Sequence, residues 1–144
     1  MRRIASAVLA AILIISCQNN DKKAATAATT STTRDSAQFT KVEWLDSTRD
    51  FGKIQEGQQL EVSFRFRNAG SKPLVIERVQ PSCGCTVAEQ PKEPVAPGAE
   101  GLIKATFNSQ GHVGINHKTL NVFANMKEYP HPLQFIVEVE KKAS

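Results

Sequence analysis

Along residues 60–67 the chain alternates without a miss. Leu60, Val62, Phe64 and Phe66 are apolar, and Glu61, Ser63, Arg65 and Arg67 lie between them. A period of two sends successive side chains to opposite faces of an extended backbone, so this segment predicts a half-buried β-strand. Leu133, Phe135, Val137 and Val139 repeat the pattern near the end of the chain. Apolar and β-branched runs at 74–79, 102–107 and 117–124 predict further strands, and 41–45 and 50–54 predict shorter ones. Turn formers punctuate them: Glu56-Gly57, Asn68-Ala69-Gly70-Ser71-Lys72-Pro73 and Pro97-Gly98. The run at 74–79 is expected to fold back on 60–67 as a hairpin.

No window past residue 40 carries a helical period, so the fold class is all-β. Seven or so short strands in about 100 residues predict an immunoglobulin-like antiparallel β-sandwich over residues 41–140. A closed β-barrel is the competing architecture. The Cys…Trp…Cys spacing of antibody domains is absent: Trp44 lies near the start of the domain, and Cys83 and Cys85 are too close together to bridge two sheets. Apolar packing must therefore hold the sandwich.

The chain begins differently. Arg2 and Arg3 precede the apolar stretch "IASAVLAAILIIS", the order of a secretory signal over residues 1–16. As a membrane span it is short, since a helix needs about 20 apolar residues to cross the hydrocarbon core. Ile14-Ile15-Ser16-Cys17 resembles the bacterial lipobox, which implies that Cys17 is acylated and becomes the first mature residue. Residues 18–38 have no large apolar side chain and cannot bury enough surface to offset the entropy of ordering. Residues 17–40 therefore read as a lipidated cysteine and flexible tether with a reach of about 25 Å, and residues 141–144 as a frayed tail. Losing Arg2 and Arg3 halves the formal net charge of +4. No basic block remains to argue for nucleic acid.

Catalytic constellations are absent from the sequence: there is no G-x-S-x-G, H-E-x-x-H, P-loop or G-x-G-x-x-G. With Cys17 lipidated, Cys83 and Cys85 remain as an even pair in an oxidising compartment. Three readings of Cys83-Gly84-Cys85 stand. The thiols can pack at a turn as small apolar groups. They can form a disulfide, for which the segment must bend, with Gly84 as the residue expected to permit it. Reduced, they can hold a soft ion such as Cu(I), with Met126, His112 or His117 as auxiliary ligands if the fold brings one near. Arg65, Arg67 and Arg78 could line up as a basic strip on one sheet, but ordinary exposed charges on solvated sheet faces are the expected reading.

Phe51-Gly52-Lys53-Ile54, residues 66–76, Ser82-Cys83-Gly84-Cys85-Thr86 and residues 97–109 together resemble a bacterial family of exported Ig-like domains, domain of unknown function 1573, related to the Hydin-like Ig domains of cilia and centrosomes. The likeness spans residues 42–139. It implies a β-sandwich with Ser82–Thr86 at the start of a strand, frequent lipoprotein signals, and no defined reaction. The expected role is a lipid-anchored, non-catalytic binding or scaffold module that meets the membrane through its N-terminal lipid and engages an envelope protein. The alternative is a periplasmic redox or Cu(I)-handling protein using Cys83 and Cys85. Gln18, rather than Asp, follows Cys17. By resemblance to enteric lipoproteins this places the chain in the outer membrane of a Gram-negative envelope, facing the periplasm.

Overall fold

The computed structural model describes residues 35–142; the expected signal, Cys17 and the tether as far as residue 34 lie outside them. Eight strands form among the described residues: β1 (Val42–Trp44), β2 (Thr48–Gln55), β3 (Gln59–Asn68), β4 (Ile76–Pro81), β5 (Thr86–Glu89), β6 (Glu100–Asn108), β7 (Gly114–Ala124) and β8 (His131–Glu140). The first sheet runs β1-β3-β6-β5 and the second β2-β8-β7-β4. This is the expected sandwich, with one departure from an antiparallel fold: β2 lies parallel to β8.

Alternation sets which side chains are inside. Val62, Phe64 and Phe66 of β3 and Ile103, Ala105 and Phe107 of β6 face Leu120 and Val122 of β7 and Leu133, Phe135, Val137 and Val139 of β8, all of them buried. Phe107 meets Phe135 across the two sheets with ring centroids 6.0 Å apart. Removing a buried aromatic or aliphatic side chain of this kind from water is worth about 1.5–3 kcal/mol, so these positions supply the cohesion that no intersheet bridge provides.

The expected hairpin between the runs at 60–67 and 74–79 does not form. β3 pairs with β1 and β6, whereas β4 joins the second sheet beside β7. The link between them is an arch from one sheet to the other, held by Asn68. That side chain, fully buried, donates from Nδ2 to the carbonyls of Lys72 and Val95 at 2.7 and 2.9 Å. Its Oδ1 accepts from the Thr40 hydroxyl and the Gly70 N–H at 2.9 and 3.1 Å. Thr40 is itself buried and forms a bridge to Met126, so the folded unit takes in residues that the sequence assigns to the tether.

The strands give the sandwich two ends. Thr40, the arch at 69–75 and Met126 lie at one end, where residues 35–40 join the domain. The turn at Glu56-Gly57, the segment 82–85 and the loop 109–113 lie at the other. In β2 the Phe51-Gly52 pair forms a bulge, at which the register against β8 shifts. Gly52 sits there at φ +66°, a conformation that L side chains avoid, and its N–H donates to Asp50 Oδ1 at 2.8 Å.

Candidate functional site

Pro81 ends β4, and Ser82 makes the last contacts with β7. Its N–H donates to the Thr119 carbonyl at 2.8 Å, and its Oγ accepts from the Thr119 N–H at 3.2 Å. The chain then crosses from the second sheet to the first. Cys85 has already joined the first sheet, because its carbonyl accepts from the Asn108 N–H at 2.9 Å. Cys83-Gly84-Cys85 is thus the corner between β4 and β5.

The corner is closed by a disulfide between Cys83 and Cys85, with S–S 1.98 Å and Cα atoms 5.3 Å apart. Residues two apart in an extended strand lie about 6.6 Å from each other, so the segment is bent, and the Thr86 N–H donates back to the Cys83 carbonyl at 3.4 Å. Gly84 does not have the role expected of it. Its φ lies outside the left-handed region, and a Cβ built there would meet nothing within 4 Å. The bend is one that any L residue can make. A ring that encloses a single residue also removes little freedom from the unfolded chain, about 1–2 kcal/mol in the loop-entropy picture.

Thr86 is the residue that sequence reasoning passed over. It is buried, and its Oγ1 lies 3.6 Å from Cys83 Sγ and 3.9 Å from Cys85 Sγ. Its alternation with half-buried Ala88 was the available signal: in β5 these two positions face the core while Val87 and Glu89 face solvent. Cys85 packs against the hydrophobic core. With Gly84 it also lines a shallow depression on the outer face of the first sheet, shared with Gln59, Val87, Asn108 and His112.

Of the three expected auxiliary ligands, one shares a surface depression with Cys85. His112 lines the same depression, with its ring 5.6 Å from that of Phe107. His117 is an exposed residue of β7 opposite Ile136. Met126 is buried at the other end of the sandwich, beside Thr40 and Trp44. No group of three or more His, Cys, Asp or Glu placed to hold a metal occurs among the described residues. Bonded to each other, the two sulfurs present no thiolate to a soft ion.

Arg65, Arg67 and Arg78 form no basic strip and stand as separate exposed charges. Arg65 and Arg67 share the outer face of the first sheet, but Arg65 pairs with Asp46 at 2.9 Å and Arg67 with Glu100 at 2.6 Å. Arg78 belongs to the second sheet and stacks over Phe123 at 3.6 Å. The end that carries the disulfide instead exposes apolar groups: Val87 is 67% exposed, Val113 55% and Ile115 69%.

No curated protein matches the chain. Among solved structures it resembles a protein of unknown function from Porphyromonas gingivalis W83, with a TM-score of 0.62 and 18% identity, over 72% of this chain and 48% of that one. The chain thus spans about half the length of that protein. It is also similar to the ASH / PapD-like domain 7 of human CEP192, with a TM-score of 0.56 and 13% identity, over 74% of this chain and 89% of that one. A third likeness is to the secreted serine protease VesC of Vibrio cholerae, with a TM-score of 0.54 and 15% identity, over 76% of this chain and 25% of that one. At these identities the likeness is one of fold. Family membership rests on the sequence match over residues 42–139, almost the whole sandwich: the chain belongs to the family described as protein of unknown function DUF1573.

Proposed function

We propose that the chain is a lipid-anchored module of a Gram-negative cell envelope that acts by binding another envelope protein. The observation that carries this reading is the placement of β5. Residues 35–40 join the sandwich at one end, and β5 starts at the other, paired on one side only, with β6. An edge strand offers unpaired backbone N–H and C=O groups, and adding a partner strand there costs little reorganisation. Val87 gives this edge an apolar side chain to bury. The neighbouring edge is less available, because Gln90 Nε2 donates to the β4 carbonyls of Ile76 and Glu77 at 3.3 and 3.2 Å.

The test uses the full chain in a Gram-negative host. An acyl label is expected on the natural protein, and Cys17→Ser is expected to abolish the label and move the chain to the soluble fraction. A photo-crosslinking residue at Val87 should yield a discrete adduct, and one at Asp50 on the opposite edge should not. A chain that stays membrane-bound and labelled without Cys17, or that crosslinks equally at both positions, would exclude this reading.

A further inference from the structure

We infer that Cys83–Cys85 is an exchange-active disulfide that takes two electrons from a dithiol of another exported chain. This goes beyond the binding role and does not depend on it, since a small thiol suffices to reveal it.

The first support is the ring itself. A disulfide that greatly stabilises the folded state is correspondingly hard to reduce within it; this one encloses Gly84 alone, so the fold gains little from the bond and resists its opening little. Gly84 is the second. Neither its φ nor its surroundings demand glycine. Gly84 and Cys85 line the same surface depression, so a branched side chain at 84 would add bulk next to the sulfur that a donor has to reach.

Thr86 is the third. A buried hydroxyl within reach of both sulfurs, and nearer to Cys83, can donate a hydrogen bond to whichever becomes a thiolate. Hydrogen bonding to a charged form favours that form, and a more stable thiolate is a better leaving group. Thr86 is in this sense a positioning residue.

The step follows from that geometry. A thiolate of the donor approaches through the depression and attacks Cys85 Sγ. A bond forms between the donor sulfur and Cys85, and the Cys83–Cys85 bond breaks. Its electron pair remains on Cys83, which leaves as a thiolate and accepts the Thr86 hydroxyl hydrogen. The donor's second thiolate then attacks the donor sulfur held on Cys85. This forms the donor's own disulfide and expels Cys85 as a thiolate. The donor is oxidised by two electrons, the Cys83–Cys85 pair is reduced by two, and the protons given up by the donor's thiols reach the new ones through water.

The test uses the full chain carrying Cys17→Ser, so that only the pair reports, with glutathione as the donor and maleimide trapping to count thiols. Millimolar glutathione is expected to open the bond within minutes in the folded protein. Gly84→Val should unfold at the same urea concentration as its parent yet exchange roughly tenfold more slowly. In the reduced protein, Thr86→Val should raise the pKa governing alkylation of the first thiol by about one, while Thr86→Ser should leave it in place. A pair that stays oxidised for hours, or opens only in denaturant, overturns the inference. So does a Gly84→Val chain that exchanges as fast as its parent, or a Thr86→Val chain whose thiol titrates unchanged.

Discussion

Asn68 has its amide fully engaged, with two bonds donated and two accepted, at a position with no exposed surface. Replacing it by Leu preserves the volume but leaves the Thr40 hydroxyl, the Gly70 N–H and the Lys72 carbonyl without this partner, while the Val95 carbonyl keeps the Leu74 N–H at 2.9 Å. At about 1–3 kcal/mol for each buried group left unsatisfied, Asn68→Leu is expected to cost roughly 3 kcal/mol or more. Thr40→Val removes one of the four bonds and should cost about 1 kcal/mol. Urea unfolding of the two variants checks both the size and the order of these effects. Ser109 has a related task at the other end, where its buried hydroxyl lies 3.1 and 2.8 Å from the carbonyls of Gln55 and Gln58. Asn68 and Ser109 both fall within the segments that carry the family likeness, and their partners show why those segments were legible as fold and silent about chemistry. They fix turns. The candidate site was half legible in the same way: the cysteine spacing was plain, but whether the sulfurs were bonded depends on a bend that two-residue spacing does not specify. Thr86 escaped because its alternation with Ala88 spans only four residues and shows burial, not the two sulfurs beside the hydroxyl.

At the scale of elements, alternation told which face of β3 or β8 is inside and said nothing of which strand lies alongside. That is why β3 and β8 were found and the β3–β4 hairpin was not. Side-chain period encodes burial, whereas partner choice depends on the arch at 69–75 and on Asn68 inside it. β5 was missed as a strand because four residues after a turn carry too little pattern. Between elements, the link from β1 to β2 is fastened by Asp46, which accepts from the Arg65 N–H at 3.2 Å and from its Nε at 2.9 Å. The hydrogen bond from the Arg65 side chain is the largest cause holding Asp46 below the usual carboxylate range. A depressed carboxyl pKa means that the unfolded chain binds protons more readily than the folded one. The contribution is therefore complete above the ordinary carboxylate pKa near 4 and is lost as the pH falls through the lower folded value. Asp46→Asn should thus be less stable than the natural chain at pH 7, by a small margin typical of surface pairs. The gap should hold between pH 7 and pH 5 and narrow as the pH falls below the ordinary carboxylate pKa near 4, as urea midpoints along that series would show.

For the whole molecule, the two ends divide the work. Residues 35–40, Trp44 and Met126 gather at the end where the chain enters, and Trp44 stacks on His131 there with centroids 4.5 Å apart. The disulfide corner and the start of β5 lie at the other end, so changes at one end should leave the other unmoved. Substituting Val87 by Lys is expected to abolish the adduct formed by a photo-crosslinking residue placed at Glu89, the other outward-facing position of β5, while leaving the unfolding free energy within about 0.5 kcal/mol of the natural chain, as for other exposed positions. The parallel pairing of β2 with β8 has a consequence for how the protein comes into being. β2 is among the first of the described strands to emerge from a synthesising ribosome, and the strand it hydrogen-bonds is the last of them. Until residues 131–140 have emerged, β2 has no backbone partner and β7 lacks one of its two neighbours. Long-range pairing of this kind makes folding slow, so β2 cannot complete its sheet until the C-terminal strand is present. A chain stopped at residue 130 should accordingly be open to protease along the sandwich, while the chain that includes β8 resists.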